Sequence, residues 1–271
     1  MLAGMGVRTT VLASGSKGNA TVVASSKTRL LVDAGISCRE TFRRMAQAGE
    51  DPGALDAILI SHEHSDHVSG LPVLARRLKK PVYMTESTHQ AWWRQNRRQL
   101  EERGRLERLE RFSAGRTFSV GDITVMPFTT PHDAADPVGF TFRAEGVKIG
   151  LVTDLGYLPA SVRQHLAGCD GLMIESNHDL EMLRSGPYPW AVKQRVMSRV
   201  GHLSNDALAE FFAADYDGGA AFVVLAHLSE QNNHPEIARI AAEDALGARR
   251  SLLANRLLLA AQAGPLEPIR L

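Results

Sequence analysis

The chain has 271 residues, 44% of them hydrophobic, and a formal net charge of +1. That is enough apolar material for one large domain, expected here over 1–271, and the balanced charge excludes a nucleic-acid binder dominated by a basic tail or patch. Cys38 and Cys169 stand far apart and outside any Cys-x-x-Cys spacing, which implies neither a disulfide framework nor a zinc knuckle and fits a reducing cytoplasm. The stretch Met1–Val7 lacks a charged region followed by an apolar one, and no run approaches the roughly 20 apolar residues of a membrane span. A cytoplasmic protein with no membrane association is expected.

In chain order, short β-branched runs first alternate with turn residues: Thr9–Ala13, the polar loop Ser14-Gly15-Ser16-Lys17-Gly18-Asn19, then Thr21–Val23 and Arg29–Val32. These read as a meander of strands closed by Asp33-Ala34-Gly35. A helix near Cys38–Ala48 leads to the apolar run Ala57-Ile58-Leu59-Ile60, and directly behind it stands Ser61-His62-Glu63-His64-Ser65-Asp66-His67-Val68-Ser69-Gly70. A solvent-facing loop has no need for His-x-His-x-Asp-His. Imidazole with carboxylate suits zinc, manganese or iron, and four such groups this close exceed what one ion takes without strain. A two-metal hydrolase is therefore the first hypothesis. His62 and His64, two apart in extended chain, point the same way. Asp66 and His67 form the other jaw and open a helix predicted over Asp66–Leu78, whose N-terminus also favours an anion such as phosphate.

The segment Trp92-Trp93-Arg94-Gln95-Asn96-Arg97-Arg98 and the Arg-rich stretch through Arg111 bring aromatics and cations together, as stacking and phosphate contact require. Glu101, Glu102, Glu107 and Glu110 interleave with these arginines and favour a solvated helix with core-facing tryptophans. Strand-like runs appear at Pro81–Met84, Phe118–Pro127, Gly139–Arg143, Lys148–Thr153, Gly171–Glu175 and Ala221–Ala226. Three polar residues cap such runs: His132 after Ile123–Thr129, Asp154 after Ile149–Thr153 and His227 after Phe222–Ala226. Each alone would read as a turn residue, but their recurrence behind apolar strands marks them as candidate ligands, with Asp154 suited to bridge two ions. Two sheets face to face with helices on both outer sides would bury these strands in a layered α/β architecture.

Asp33, His62-x-His64-x-Asp66-His67, His132, Asp154 and His227 follow, in order, the motifs of the metallo-β-lactamase fold superfamily, which this chain resembles over most of its length. The resemblance implies an αββα sandwich holding two divalent ions (zinc or manganese, with iron also compatible). It implies His62, His64 and His132 on one ion, Asp66, His67 and His227 on the other, Asp154 between them and Asp33 in support. The third motif position is His64, where flavodiiron oxidoreductases carry Glu, and no Cys takes the bridging position of true β-lactamases, so oxygen reduction and antibiotic hydrolysis are not expected.

The segments Leu12–Asn19, Glu175-Ser176-Asn177-His178-Asp179, Gly201-His202-Leu203-Ser204-Asn205 and Leu225–Asn233 are similar to the YycJ (WalJ) family of exonuclease-like bacterial proteins, and more distantly to ribonuclease Z and PhnP. His202 with Ser204 is similar to the His-Ser-Thr segment that assists catalysis in ribonuclease Z. That likeness implies His202 as a catalytic residue and general acid beside the metal-binding Asp66, also expected to be catalytic. His178 has no clear counterpart in the superfamily and is expected either to hydrogen-bond or contact substrate or to be a turn residue. His89, His165 and His234 read as structural. The expected activity is phosphodiester hydrolysis by metal-activated hydroxide, most simply at DNA ends. Two other readings stay open: a hydrolase of a cyclic phosphodiester, ester or thioester, and a non-catalytic metal-binding module.

Overall fold

The computed structural model describes residues 6–103, 106–247 and 256–271, with the side chains of 98–103 outside the description. Fourteen strands lie among the described residues: β1 (Arg8–Ala13), β2 (Ala20–Ala24), β3 (Arg29–Val32), β4 (Ala57–Leu59), β5 (Val82–Met84), β6 (Leu109–Arg111), β7 (Phe118–Val120), β8 (Ile123–Thr129), β9 (Val138–Ala144), β10 (Val147–Val152), β11 (Gly171–Glu175), β12 (Phe222–Ala226), β13 (Arg256–Leu259) and β14 (Ile269–Arg270). They form two seven-stranded sheets, β14-β1-β2-β3-β4-β5-β6 and β13-β12-β11-β10-β9-β8-β7. The helices are α1 (Cys38–Gln47), α2 (Ser65–Val68), α3 (Leu71–Leu78), α4 (Glu86–Arg103), α5 (Ala160–Leu166), α6 (Leu180–Ser185), α7 (Trp190–Val196), α8 (Asn205–Ala214) and α9 (Pro235–Leu246).

Successive side chains of a strand point to opposite faces, and here both faces are buried. Leu30 and Val32 of β3 enter the core between the sheets, where Phe140, Phe142 and Phe222 also pack, while Leu31 between them faces Met45 of α1, Leu74 of α3 and Trp92 of α4. In β12, Phe222, Val224 and Ala226 point inward, whereas Val223 and Leu225 meet Val162 of α5, Leu208 of α8 and Ala238 of α9. The result is the expected αββα sandwich. In each sheet four consecutive strands run parallel, β3 to β6 and β10 to β13. Their carboxyl ends are where loops gather functional side chains in open α/β sheets.

Two predicted elements are divided. The helix expected over Asp66–Leu78 breaks into α2 and α3 at Ser69-Gly70. Gly70 donates its N–H to Ala34 O at 2.7 Å, a side chain there would run into the Ile36 carbonyl, and Pro72 restarts the helix at its first turn. The run Phe118–Pro127 is the hairpin β7–β8, turned at Gly121 with φ +56°. Trp92 is 1% exposed and belongs to the core under α4, as the solvated-helix reading required, and Arg111 pairs with Glu86. Arg98, Glu101 and Glu102 lie outside the described side chains.

Candidate metal centre

The predicted ligands and the supporting Asp33 sit just past strand ends on one rim of the sandwich: Asp33 after β3, His62 and His64 after β4, Asp66 and His67 in α2, His132 after β8, Asp154 after β10 and His227 after β12. Three of these hold left-handed backbone, Asp33 and Asp154 at φ 61° and His227 at φ 54°. For residues with a Cβ that conformation is unfavourable and persists only where surrounding structure imposes it. Each marks the point where an apolar strand turns abruptly to aim a polar group at the rim.

The side chains converge in two abutting groups, His62, His64 and His132, and Asp66, His67, Asp154 and His227, with ligand atoms within 4.8 Å of one another in each. His64 Nδ1 lies 3.2 Å from His132 Nε2. In the second group His67 Nε2 is 3.2 Å from Asp154 Oδ2 and 3.4 Å from Asp66 Oδ2, and His227 Nε2 is 3.3 Å from Asp66 Oδ2 and 3.5 Å from Asp154 Oδ1. Asp154 Oδ1 is also 3.9 Å from His132 Nε2, so one carboxylate faces both groups.

This donor set fits divalent metal. Donors on a tetrahedral ion with bonds of about 2.0–2.1 Å stand roughly 3.4 Å apart, close to the separations here. His62 Nε2 and Asp154 Oδ2 are buried without an aligned hydrogen bond, although Oδ2 lies within ion-pair distance of His67. Such orphaned polar atoms are costly unless a ligand satisfies them.

An outer set of contacts turns the free nitrogens inward. Asp33 accepts the Ser61 N–H at 2.8 Å and holds His67 Nδ1 at 2.8 Å, while Ser61 Oγ lies 3.0 Å from His62 Nδ1. His132 Nδ1 donates to Gly201 O at 3.0 Å. The Asn177 amide and the Glu175 carboxylate both lie 3.2 Å from His227 Nδ1. Burial, reinforced by the charge of His67, drives the His62 pKa well below the usual imidazole value, which leaves a neutral donor. Burial alone would raise the Asp154 carboxyl, but His227 and His67 outweigh it and hold it well below the ordinary range.

His202 stands beside this centre, its ring 5.2 Å from those of both His132 and His227. Its Nδ1 bonds Glu175 Oε1 at 2.8 Å, and Glu175 Oε2 accepts the N–H of Leu155 at 3.0 Å and of Leu203 at 3.1 Å. Burial opposes ionisation of Glu175, yet the His202 charge and hydrogen bond bring its pKa down to about 2; in return the carboxylate overcomes burial and raises the pKa of His202. The Nε2 edge of His202 is left available to a substrate.

His178 is 1% exposed and lies behind the rim, its Nδ1 3.3 Å from Asn177 Oδ1 and its carbonyl accepting from Asn205 N. That position gives it a hydrogen-bonding part and no part in either ligand group. His234 caps α9, His165 stacks on Phe128 and His89 lies near Trp92. Sequence reasoning assigned no role to Glu175, although it ends β11 as Asp154 follows β10. The strand-end rule that found the ligands applies to it equally.

A sequence model of the β-lactamase superfamily domain matches residues 28–228. Exodeoxyribonuclease WalJ of Streptococcus pneumoniae is 40% identical over 238 residues, 87% of this chain and 87% of its own. Exodeoxyribonuclease YycJ of Bacillus anthracis is 39% identical over 244 residues, covering 89% and 90%. The chain belongs to the β-lactamase superfamily, in the family of WalJ and YycJ. Among solved structures, the metallo-β-lactamase fold protein YhfI from Bacillus subtilis superposes with a TM-score of 0.68 at 16% identity, covering 96% of this chain and 99% of that one. That likeness bears out the fold of the superfamily. No helix among the described residues is long and apolar enough to cross a membrane.

Proposed function

We propose that the protein is a metal-dependent exodeoxyribonuclease that hydrolyses phosphodiester bonds at DNA ends. The observation that carries this is the pair of ligand groups, with Asp154 of the second facing His132 of the first, beside a His202 oriented by Glu175; the exodeoxyribonuclease activity for which the WalJ and YycJ relatives are named supports the substrate. His62, His64 and His132 would hold one divalent ion, and Asp66, His67 and His227 a second, with Asp154 between them. Zinc and manganese both suit these donors, and bound there they supply Lewis acidity toward a phosphoryl oxygen and acidify water.

Asp33 and Ser61 fix the rings of His67 and His62, so donors need no rearrangement as ions bind. Glu175 holds a proton on His202 Nδ1 and leaves Nε2 to donate a second proton to the departing sugar oxygen. The dry rim formed by buried His62, His67, Asp154 and His227 strengthens each charge interaction with the phosphoryl group. The buried free thiols Cys38 and Cys169 accord with a cytoplasmic enzyme, and we read 1–271 as one catalytic domain.

Loss of 5′- or 3′-end label from linear DNA, with and without Mn²⁺ or Zn²⁺, tests this reading in the wild type and Asp66→Ala. The wild type should release label only with metal, and Asp66→Ala should be inert. Hydrolysis of bis-p-nitrophenyl phosphate with no release from DNA would redirect the proposal to a small phosphodiester.

A further inference from the structure

The segment that leads into His202 is unusual in composition. No Asp or Glu stands between Glu181 and Asp206, whereas Arg184, Lys193, Arg195 and Arg199 all do, in a chain with 30 acidic residues. The same stretch displays Trp190 at 63% exposure, Val192 at 39% and Val200 at 45%. These are three of the five exposed large hydrophobics among the described residues, and apolar exposure concentrated in one segment marks an interaction site. The guanidinium of Arg199 lies 4.2 Å over the Tyr157 ring. Arg195 pairs with Asp133, and Lys193 Nζ anchors the segment on Arg184 O at 2.6 Å.

This segment is bonded directly into the catalytic rim. Val200 O accepts from Asp133 N at 3.0 Å, Gly201 O accepts from His132 Nδ1 at 3.0 Å, and the His202 N–H donates to Val196 O at 2.9 Å. Trp190 precedes Val196 by six residues of α7, about 9 Å along the helix axis at 1.5 Å per residue. At 3.4 Å per stacked nucleotide that is roughly three bases of a single strand. An exposed indole at that reach, followed along the same segment by the exposed side chains of Arg195, which Asp133 holds, and of Arg199, matches the stacking platform and cationic track that hold single strands without sequence preference.

We propose that residues 184–200 form the docking platform for the single-stranded end of DNA, with Trp190 stacking on a base and Arg199 and Arg195 meeting backbone phosphates. The inference rests on the exonuclease reading and names where that substrate lies. Two separate readouts test it on the metal-loaded protein. The first is the affinity for a fluorescent phosphorothioate oligothymidylate, which resists cleavage; the second is turnover of bis-p-nitrophenyl phosphate, too small to reach Trp190.

Trp190→Ala should weaken oligonucleotide binding by roughly 5- to 150-fold, the range of one lost base–aromatic stack. Arg199→Ala should lower the slope of log affinity against log salt by about 0.7, one phosphate contact on a single strand. Both variants should hydrolyse the small diester at the wild-type rate. Oligonucleotide affinity and salt slope equal to wild type in both variants would overturn the platform, and they would leave the exonuclease reading intact if the wild type still degrades DNA. Trp190-dependent binding by a wild type that never cleaves DNA would instead sustain the platform and defeat the exonuclease reading.

Discussion

Glu175, His202, Asp154 and His227 form a third cluster of candidate ligand atoms. Within it Glu175 bonds His202 and lies 3.2 Å from Nδ1 of the ligand His227, whereas the His202 ring stands beside the ligands with its Nδ1 taken by Glu175. The two residues should therefore fail differently. His202→Ala should lower phosphodiester turnover by about 10²- to 10⁴-fold, the usual worth of a positioned proton donor, while metal content by mass spectrometry stays at the wild-type level. Glu175→Gln should lower turnover and also weaken metal affinity by about 10- to 100-fold, as loss of a ligand-orienting carboxylate does. Metal loss in His202→Ala would assign that ring to coordination. His178 offers a separate test through pH. Burial lowers its pKa from 6.5 to about 4, so the unfolded chain takes up this proton first as pH falls. Its contribution is complete above pH 6.5 and is lost progressively down to about pH 4, by up to about 3 kcal/mol at 1.36 kcal/mol per unit. Denaturant melts at pH 7 and pH 4.5 should show a smaller stability difference in His178→Gln than in wild type. An equal difference would place that acid sensitivity elsewhere.

At the scale of elements, the strands before the ligands were legible because both faces of β3, β10, β11 and β12 are largely buried and each carries an apolar run, Leu30–Val32, Ile149–Val152, Gly171–Ile174 and Phe222–Ala226. The ligands were legible because a charged or imidazole side chain directly behind such a run has no packing purpose. The division of the helix after His64 was not legible, because it depends on a close approach that only the folded chain creates. Gly35 and Gly70 let the Ala34–Ile36 turn lie against α2, with Asn19 N bonded to Asp66 O at 2.7 Å and Ala34 N to His67 O at 2.8 Å. A side chain on Gly35 would run into the Asp66 carbonyl. Gly35→Ala should therefore destabilise the fold by about 1–3 kcal/mol, the cost of overpacking, and displace Asp66 enough to weaken metal binding. Gly264→Ala, with open space around the added methyl, should do neither. Calorimetric metal titration of the two variants decides between this account and one in which the loop adapts freely. The short edge strands β6, β13 and β14 escaped sequence reading because they carry two to four residues and are partly exposed.

Across the whole molecule, each sheet alone carries an incomplete site. His62, His64, Asp66 and His67 follow strands of the first sheet, and His132, Asp154 and His227 follow strands of the second. Bound ions would therefore fasten the two halves of the sandwich together, and ligands that bind only the folded state stabilise it by mass action. Chelation should lower the thermal midpoint, and stoichiometric Mn²⁺ or Zn²⁺ should restore it; an unchanged midpoint would mean that the ions do not bridge the sheets. The near-zero net charge also acquires meaning at this scale, because a stretch of sequence without Asp or Glu, 182–205, is hidden within a balanced total.

The central claim is that this metal centre degrades DNA from its ends. The most direct measurement is digestion of linear and covalently closed circular single-stranded DNA of the same sequence, with Mn²⁺ and with chelator, followed by chromatography of the products. The account predicts mononucleotides from the linear strand in the presence of metal, an intact circle, and no products after chelation. Equal fragmentation of both substrates, or release that persists without metal, would contradict it.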